Sequence, residues 1–469
     1  MSDILTQHPL DAPVVLEQAI RNANFFNGRV LTARDMQDEQ TANRRQHRQL
    51  GQAIGAGVVN GLKVRLVDAG APDQSAGTSS RTPVVAVTGG LAINREGQAI
   101  ELPVGEVHVA LRRSTGKPPA VVHVFADCKP LQAAPDLVGK GVYLLTAAPA
   151  AQYSDRAPMV SLNGGGKADG CGDRYAVEGV RFGLVELNLA TLAGLSDATR
   201  AQLATLLSRS EQNNLNALER LTARSRLRNL LAHACFGSER VAGLATDPLH
   251  IDAQQASFGA LDALWDAGAL DSCELPLALL IWTSAGLRAL DMWAVRRQAT
   301  APRDTLAPFV PHDATQNIAA AMIAQFQDHV ADLAREQRTS GLLGAMRMVD
   351  LFRYLPPCGA LPLARTGEPG PPTGFVPEQF FNGAATRPAG YIEGAQLEGL
   401  YREALGYPAL DLTSGEFCWL YRTRENGQAA SAGGLPLLYF AYGHLAYRGD
   451  GRVNLARLGY SNVASLPTF

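Results

Sequence analysis

The sequence predicts an α+β fold with an N-terminal antiparallel β-sandwich-like module, a helical middle region and a mixed α/β C-terminal region. Apolar and polar residues alternate between short glycine turns from 58 to 111, which is typical of antiparallel strands. From Ser196 onward, leucines recur at spacings of three, four and seven residues, which predicts helices. A chain of 469 residues accommodates two to four domains of about 100–200 residues each. We predict four regions: 1–112, 113–190, 191–345 and 346–469.

The composition is that of an ordinary globular protein. Hydrophobic residues make up 46% of the chain and charged residues 18%, and the formal net charge is −2. This balance excludes a mainly disordered chain and argues against a nucleic-acid partner bound through a broad basic face. The longest apolar run, Leu275–Trp282, is shorter than the roughly 20 residues that span a bilayer. The first residues lack a basic start followed by an apolar core, so we expect cytoplasmic synthesis without a signal peptide and no membrane insertion.

The first predicted element is a polar helix that begins at Thr32. Asp35 follows three residues later, a spacing that resembles a capping box. The helix sequence is polar on almost every side, so it cannot fill a core by itself. We interpret it as a solvated strut or as a surface that meets other chains. Strands are predicted next at 58–67, 83–87, 91–94, 98–102 and 107–111.

Further strands are predicted at 120–126, 142–148 and 177–187. Between the last two we predict a long loop with the glycine-rich stretch Asn163–Lys167 at its flexible centre. This stretch lacks the G-x-x-x-x-G-K-[ST] spacing of a phosphate-binding loop, so a plain surface loop is the favoured interpretation.

The middle region is predicted to hold one long helix or a helix pair that ends near Gly237, followed by helices at 257–268 and 313–338. Between these helices, the apolar runs 275–282 and 287–295 suggest a β-hairpin, with a helical interpretation left open.

The C-terminal region is predicted to begin with a loop or linker in the proline-rich stretch 356–377. A helix at 392–405 and strands at 416–424 and 435–448 are predicted to follow.

No motif predicts a catalytic site, a cofactor or a metal, and we expect none of the three. The sequence contains no nucleophile elbow, no H-E-x-x-H motif and no dinucleotide-binding glycine fingerprint. His233 and Cys235 lie two residues apart on a predicted helix, where their side chains diverge, so we interpret His233 as a core residue. The six cysteines are scattered singly, which favours small buried thiols over a zinc or dithiol motif.

Two alternatives stay open for the cysteines. Cys171 lies in the glycine-rich stretch GGGKADGCGD and could hold a metal together with Cys128 and a histidine. The other alternative is an enzyme with Cys171 or Cys235 as its nucleophile.

Arginines are the candidate contact residues, because guanidinium groups form forked hydrogen bonds that suit interfaces. Only five of the 42 basic residues are lysine. Arg296, Arg297 and Arg353 are candidates to tie domains or subunits together through carboxylates. On the polar helix, the candidate interface residues are Arg34, Arg44, Arg45 and Arg48.

The aromatic side chains Trp419 and Tyr421 are candidates for stacking on a sugar ligand. Aromatic residues at alternate positions of a strand are more often part of a core, and that interpretation is favoured.

The N-terminal segment contains several short motifs in a fixed order: FFNGRVLTARDM from Phe25, Glu39-Gln40, Arg44-Arg45, GVVNGLKV from Gly57 and GGLAINREGQAIELP from Gly89. This order resembles the N-terminal module of proteins encoded with phage tails and contractile injection systems. It is also distantly similar in layout to the trimeric adaptor of the type VI secretion baseplate. The resemblance covers residues 24–112.

The resemblance implies a non-enzymatic structural subunit, namely a baseplate or tail-tip component incorporated into a phage-like particle. Its expected partners are other copies of the same chain, with a trimer as one expected copy number, and other baseplate or tail proteins. The alternative is a receptor- or glycan-binding fibre-like protein of the same particle, in which Trp419 and Tyr421 would contact the ligand.

Overall fold

The computed structural model confirms the mixed α+β class, with 37% helix and 35% strand. The structure describes the following residues: 20–70, 82–112, 128, 141–160, 168–192, 195–212, 214–239, 259–283, 286–301, 313–337, 345–362, 374–382, 386–413, 418–423 and 437–442. The strand predicted at 120–126 lies outside the described residues. Among the described helices, none is both long enough and apolar enough to cross a lipid bilayer.

Helix α1 (Ala33–Ile54) begins where the sequence predicts it to begin. The backbone N–H of Asp35 donates to the Thr32 hydroxyl, and the N–H of Thr32 donates to the Asp35 carboxylate at 2.9 Å. This reciprocal pair satisfies two backbone donors at the helix start, as a capping box does. The only buried residues of α1 are Ala42 and Gly51, so the predicted lack of a core-facing stripe is confirmed.

The N-terminal sheet contains β1 (Gly57–Gly61), β2 (Val64–Asp68), β3 (Val84–Ile93) and β4 (Ala99–Ala110), with β3 at its centre and every pair antiparallel. The prediction of one strand over 58–67 is wrong at one point. Leu62 adopts a left-handed backbone with φ +50°, which separates β1 from β2. Its N–H donates to the Gly89 carbonyl at 3.1 Å, so this uncommon conformation is supported by the neighbouring strand.

The second sheet contains β5 (Gly141–Val160), β6 (Ala168–Glu186), β7 (Leu275–Thr283) and β8 (Gly286–Asp291), in the order β6-β5-β7-β8. The antiparallel pairing of β7 with β8 confirms the predicted hairpin, although β8 ends at Asp291 and residues 292–295 form a turn. The prediction of a long loop between 148 and 177 is wrong, because β5 and β6 stay paired as far as Val160 and Ala168.

These two sheets pack face to face, so the later strands complete the sandwich that the N-terminal module begins. Alternate side chains of β5 face opposite sides: Tyr143 and Leu145 join the core with Val85 of β3. Val142 and Leu144 join a second core with the helices. The layers are therefore sheet, sheet and helices, and the central sheet is buried on both faces.

The leucine stripe forms a helix pair, α2 (Asp197–Glu211) and α3 (Ala217–Phe236), rather than one helix. Asn216 and Glu219 form a second capping box at the start of α3, and Gly237 ends it with φ +73°. Two helices follow later in the chain, α4 (Ala260–Asp266) and α5 (Asp313–Gln337).

The C-terminal part continues with short elements: α6 (Met348–Leu351), β9 (Tyr354–Leu355), β10 (Cys358–Pro362), α7 (Pro377–Phe380), β11 (Thr386–Ile392), a 3₁₀ turn (Gly394–Gln396), α8 (Leu397–Ala404), β12 (Leu410–Asp411), β13 (Cys418–Thr423) and β14 (Leu437–Tyr442). The main sheet here has the order β10-β14-β13-β11. The prediction of an irregular stretch over 356–377 is wrong for Cys358–Pro362, because β10 pairs with β14. A proline at the last position of a strand is compatible with that pairing.

The last turn of α1 packs on the turn between β3 and β4 through two glycines. A Cβ added at Gly51 would overlap the carbonyl oxygen of Gly97, which is backbone and cannot rotate away. Gly399 in α8 is the matched control, because a Cβ there would meet no atom within 4 Å.

We therefore expect Gly51→Ala to lower the free energy of unfolding by about 1–3 kcal/mol, since the overlap outweighs the better helix propensity of alanine. Gly399→Ala should instead raise it by up to about 1 kcal/mol. Denaturant unfolding of both variants checks this. Similar effects of the two substitutions would show that α1 is not held at this crossing.

Candidate functional site

Several polar groups of the interior are held by structural contacts. His233 Nδ1 lies 2.8 Å from the Ser238 hydroxyl, and its ring stacks on Tyr354 at 5.0 Å between centroids. Burial lowers the pKa of His233 to about 3, so its ring is neutral at ordinary pH. Cys235 is also buried, and burial raises the pKa of its thiol to about 12, which removes the thiolate that a nucleophile requires.

The cysteines differ from the sequence-based expectation in one respect. Cys128 and Cys273 form a disulfide across 145 positions of the chain, so Cys128 is not a free ligand for a metal. Cys171 is free and exposed on β6. Within the described residues, no group of three or more His, Cys, Asp and Glu side chains is arranged to hold a metal ion.

The most connected buried charge is Arg228 on α3, which forms what we term the Arg228 cluster with Asp291, Asp328, Asp332 and Gln325. Its guanidinium donates to Asp291 at 2.6 Å, to Asp332 at 2.7 Å and to Asp328 at 3.1 Å. Asp291 is 1% exposed and also accepts from Gln325 at 2.7 Å and from the Ala294 N–H at 3.0 Å. The three carboxylates outweigh the burial of the guanidinium and raise the pKa of Arg228. The cluster joins α3, the end of β8 and α5.

Three further arginines make contacts between parts of the chain. Arg296 donates to the carbonyls of Leu62 at 2.9 Å and Gly61 at 2.6 Å, and thereby attaches the N-terminal sheet to the turn after β8. Arg297 donates to the Cys235 carbonyl at 3.2 Å. The expectation that they use carboxylates is wrong for these two contacts, because carbonyl oxygens at a turn and a helix end accept the bonds. Arg353 does reach a carboxylate, that of Asp411 at 3.3 Å.

The four candidate arginines of α1 do not share one environment. Arg34 and Arg45 are exposed, whereas Arg44 and Arg48 are partly buried. At 3.6 residues per turn, Arg34 and Arg45 lie on nearly the same side of the helix. Arg48 lies about 40° from Arg34 around the helix, so three of the four arginines share one side of α1, although only Arg34 and Arg45 are exposed.

A group of exposed apolar side chains lies beside the start of α1, and we name it the N-terminal docking surface. Each of its members is at least half exposed: Phe25, Phe26, Val30, Leu31 and Met36. Val30 is the extreme case, with 83% of its surface accessible. Exposed apolar groups of this kind mark interaction sites on soluble proteins, since leaving them in water is unfavourable.

The segment that carries this surface is held in place by polar contacts. The Ala23 N–H donates to Glu39 of α1 at 3.2 Å, and Arg29 pairs with Asp35. The apolar side chains are therefore presented from a segment fixed against the helix. These exposed apolar side chains were not predicted from the sequence. The sequence does carry one signal for them: the apolar segment FFNGRVL precedes the helix cap and lies outside every predicted strand and helix, so no core position is predicted for it.

The candidate stacking residues are placed in a core. Trp419 and Tyr421 on β13 are 7% and 9% exposed and pack with Leu400 and Ala404 of α8. Rings buried in this way do not offer a face to a sugar.

No protein-family model matches this chain, and no curated protein sequence matches it. One solved structure, described as the crystal structure of TssK, aligns with 74% of this chain and 72% of its own chain, at 12% identity and a TM-score of 0.21. This is a distant similarity, and the proposal below rests on other observations.

Removing a guanidinium should lower the free energy of unfolding strongly at the Arg228 cluster and hardly at all at the surface. We expect Arg228→Met to lower the free energy of unfolding by about 3–5 kcal/mol, because Asp291 then stays buried without its cation. Arg402→Met is the control, since Arg402 pairs with Glu398 on an exposed helix face and should cost less than about 0.5 kcal/mol. Urea unfolding of both variants measures this, and equal losses would contradict a special role for the cluster.

The stability should also fall in mild acid because of buried histidines. His329 is 3% exposed, and burial, aided by the charge of Arg228, holds its pKa well below 6.5. As the pH falls, His329 therefore takes up a proton in the unfolded chain before it does so in the folded chain. The contribution of the neutral ring to the free energy of unfolding is complete above about pH 6.5. Below that pH it is lost by up to about 1.4 kcal/mol per pH unit.

We expect His329→Gln to make this dependence less steep between pH 6.5 and pH 4, while the buried His233, whose pKa is also lowered, keeps part of the slope. Unfolding free energies measured across this range give the slopes. An unchanged slope in His329→Gln would show that this histidine titrates normally.

Proposed function

We propose that this chain is a non-enzymatic structural subunit of a phage-tail-like contractile injection system, a baseplate or tail-tip component that acts through protein–protein interfaces. The observation that carries the proposal is the N-terminal docking surface, which presents apolar side chains from a segment fixed to α1. Such a surface is stabilised when another protein covers it.

The motifs that resemble tail-associated proteins divide into two groups in the structure. The glycines of GVVNGLKV serve the fold, because a Cβ at Gly61 would overlap the Gly89 carbonyl and one at Gly57 would lie 2.5 Å from the Gln298 backbone. The FFNGRVL motif has no comparable role in a core, since its large apolar side chains are exposed. These motifs therefore contain exposed apolar residues as well as glycines that the fold requires.

We propose that α1 also contributes to self-association, with a trimer as one possible copy number. Met36, Leu50 and Ile54 are exposed and lie on roughly the opposite side of the helix from Arg34 and Arg45. Two unlike exposed sides on one helix suit a ring, in which each copy meets one neighbour through each side. Other baseplate or tail proteins are the proposed partners for the rest of the docking surface.

The alternative, a receptor- or glycan-binding fibre-like protein, gains no support from the buried rings of Trp419 and Tyr421. A glycan array with the intact protein remains its direct test.

A charge placed in the docking surface should prevent assembly. We expect Val30→Glu to lower the oligomer mass measured by light scattering at tens of micromolar, because the carboxylate cannot be buried unpaired. It should also abolish co-purification with the sheath, tube and spike proteins of the proposed injection system. Ala204→Glu is the control, because it adds the same charge at an exposed position of α2, outside the docking surface and outside α1.

A wild-type protein that is strictly monomeric and does not bind those tail proteins would overturn the proposal. Equal assembly of Val30→Glu and wild type would show that this surface is not the contact.

A further inference from the structure

The hairpin of β5 and β6 extends well beyond the sheet to which it belongs. β5 pairs with β7 only from Gly141 to Ala147, whereas it pairs with β6 as far as Val160. We define the distal arm as residues 150–158 and 170–179. No described side chain of this arm is buried. At about 3.3 Å per residue, residues 150–158 of β5 span roughly 30 Å.

A bare ribbon of two strands is at most marginally stable in water, so an arm of this length needs a surface to pack on. One face of the arm has exposed apolar side chains, of which Tyr175 is contacted by the Arg174 guanidinium at 4.9 Å from its ring centroid. Tyr175 is 47% exposed and Val177 is 53% exposed, and both point to the same side because they are two residues apart on β6.

The two edges of the arm are not equivalent. Pro149 and Pro158 lie at the two ends of the β5 edge of the arm, and proline cannot donate to a further strand. β6 contains no proline between Ala168 and Glu186 and is the outer strand of its sheet. Prolines therefore border the β5 edge of the arm, whereas the β6 edge can accept another strand along its whole length.

We propose that the β6 edge of the distal arm pairs antiparallel with the same edge of a second copy of this chain, about a two-fold axis at Ala176. In this register Arg174 of each copy lies opposite Glu178 of the other. Tyr175 lies opposite Val177, and Asp173 lies opposite Gly179. The small Ala176 meets itself on the axis, where a large side chain would be crowded.

The register is favoured by charge and by shape together. It forms two Arg–Glu pairs and two aromatic–β-branched pairs, which are the cross-strand combinations that stabilise antiparallel sheets. A two-fold register one residue away would place Tyr175 opposite itself and Arg174 opposite Ala176, so both Arg–Glu pairs would be lost. Within its own chain, Glu178 lies opposite Ala151 and forms no ion pair with another described side chain.

Edge pairing would join the two arms into one four-stranded ribbon, which is more stable than an isolated pair of strands. A two-fold contact cannot form inside a three-fold ring. The arms therefore join copies from separate assemblies, and this inference goes beyond the proposed function.

Charge-reversal variants test whether Arg174 of one copy pairs with Glu178 of the other. We expect Arg174→Glu and Glu178→Arg each to halve the mass measured by sedimentation at tens of micromolar, because like charges then face each other twice. The double variant R174E/E178R restores opposite charges in the same register and should return the mass toward that of wild type. A role of these residues in folding alone would not give this rescue. Equal masses for wild type and both single variants would overturn the proposal.

The register is tested by cross-linking in a Cys171→Ser background, which removes the exposed native thiol. Ala176→Cys should form a disulfide-linked dimer on mild oxidation, since directly opposed residues have Cα atoms about 4.5–5.5 Å apart. Asp173→Cys is the control, because six residues then separate the two thiols along the strands. Cross-linking at 173 but not at 176 would overturn the register. A mass that responds to Val30→Glu but not to the arm variants would overturn the arm contact and leave the proposed function standing.

Discussion

The rest of the structure depends on the buried guanidinium of Arg228. It fixes Asp291 at the end of β8, and Asp291 in turn accepts from the Ala294 N–H and so sets the turn after that strand. Arg296 follows in the same turn and holds the carbonyls of Gly61 and Leu62. A single polar path therefore runs from α3 through the second sheet to the N-terminal sheet. An ion this deeply buried is tolerated only because every partner is in place, which ties these elements to one arrangement.

This path explains how a chain with much exposed apolar surface at its N-terminus can present that surface in a fixed position. The N-terminal sheet is anchored by Arg296, and α1 is anchored to the sheet by the contact of Gly51 with Gly97. The docking segment is then fixed to α1 through Glu39 and Asp35. A preorganised surface loses less conformational entropy when a partner binds, so more of the contact free energy appears as affinity.

The elements that local patterns specify were predictable, and those that distant residues specify were not. The Thr32–Asp35 cap, the β7–β8 hairpin and the stop at Gly237 follow from spacing and turn residues close in sequence. The distal arm was missed because prolines and glycines lower strand propensity, yet an outer edge tolerates them. The disulfide of Cys128 with Cys273 and the Arg228 cluster join positions far apart in the chain, and one sequence holds no local signal of such contacts. The arginine candidates on α1 stay a prediction, and the apolar residues just before the helix, each at least half exposed, were not predicted as a surface.

Hydrogen–deuterium exchange of the free chain and of its assembled form tests the central claim most directly. If one anchored body presents the N-terminal docking surface, α3, β3 and β7 should exchange as a single slow unit in the free chain. Assembly should then protect residues 25–36 while leaving that unit unchanged. The account would be contradicted if β3 exchanged through an opening that leaves α3 protected, or if assembly gave residues 25–36 no added protection.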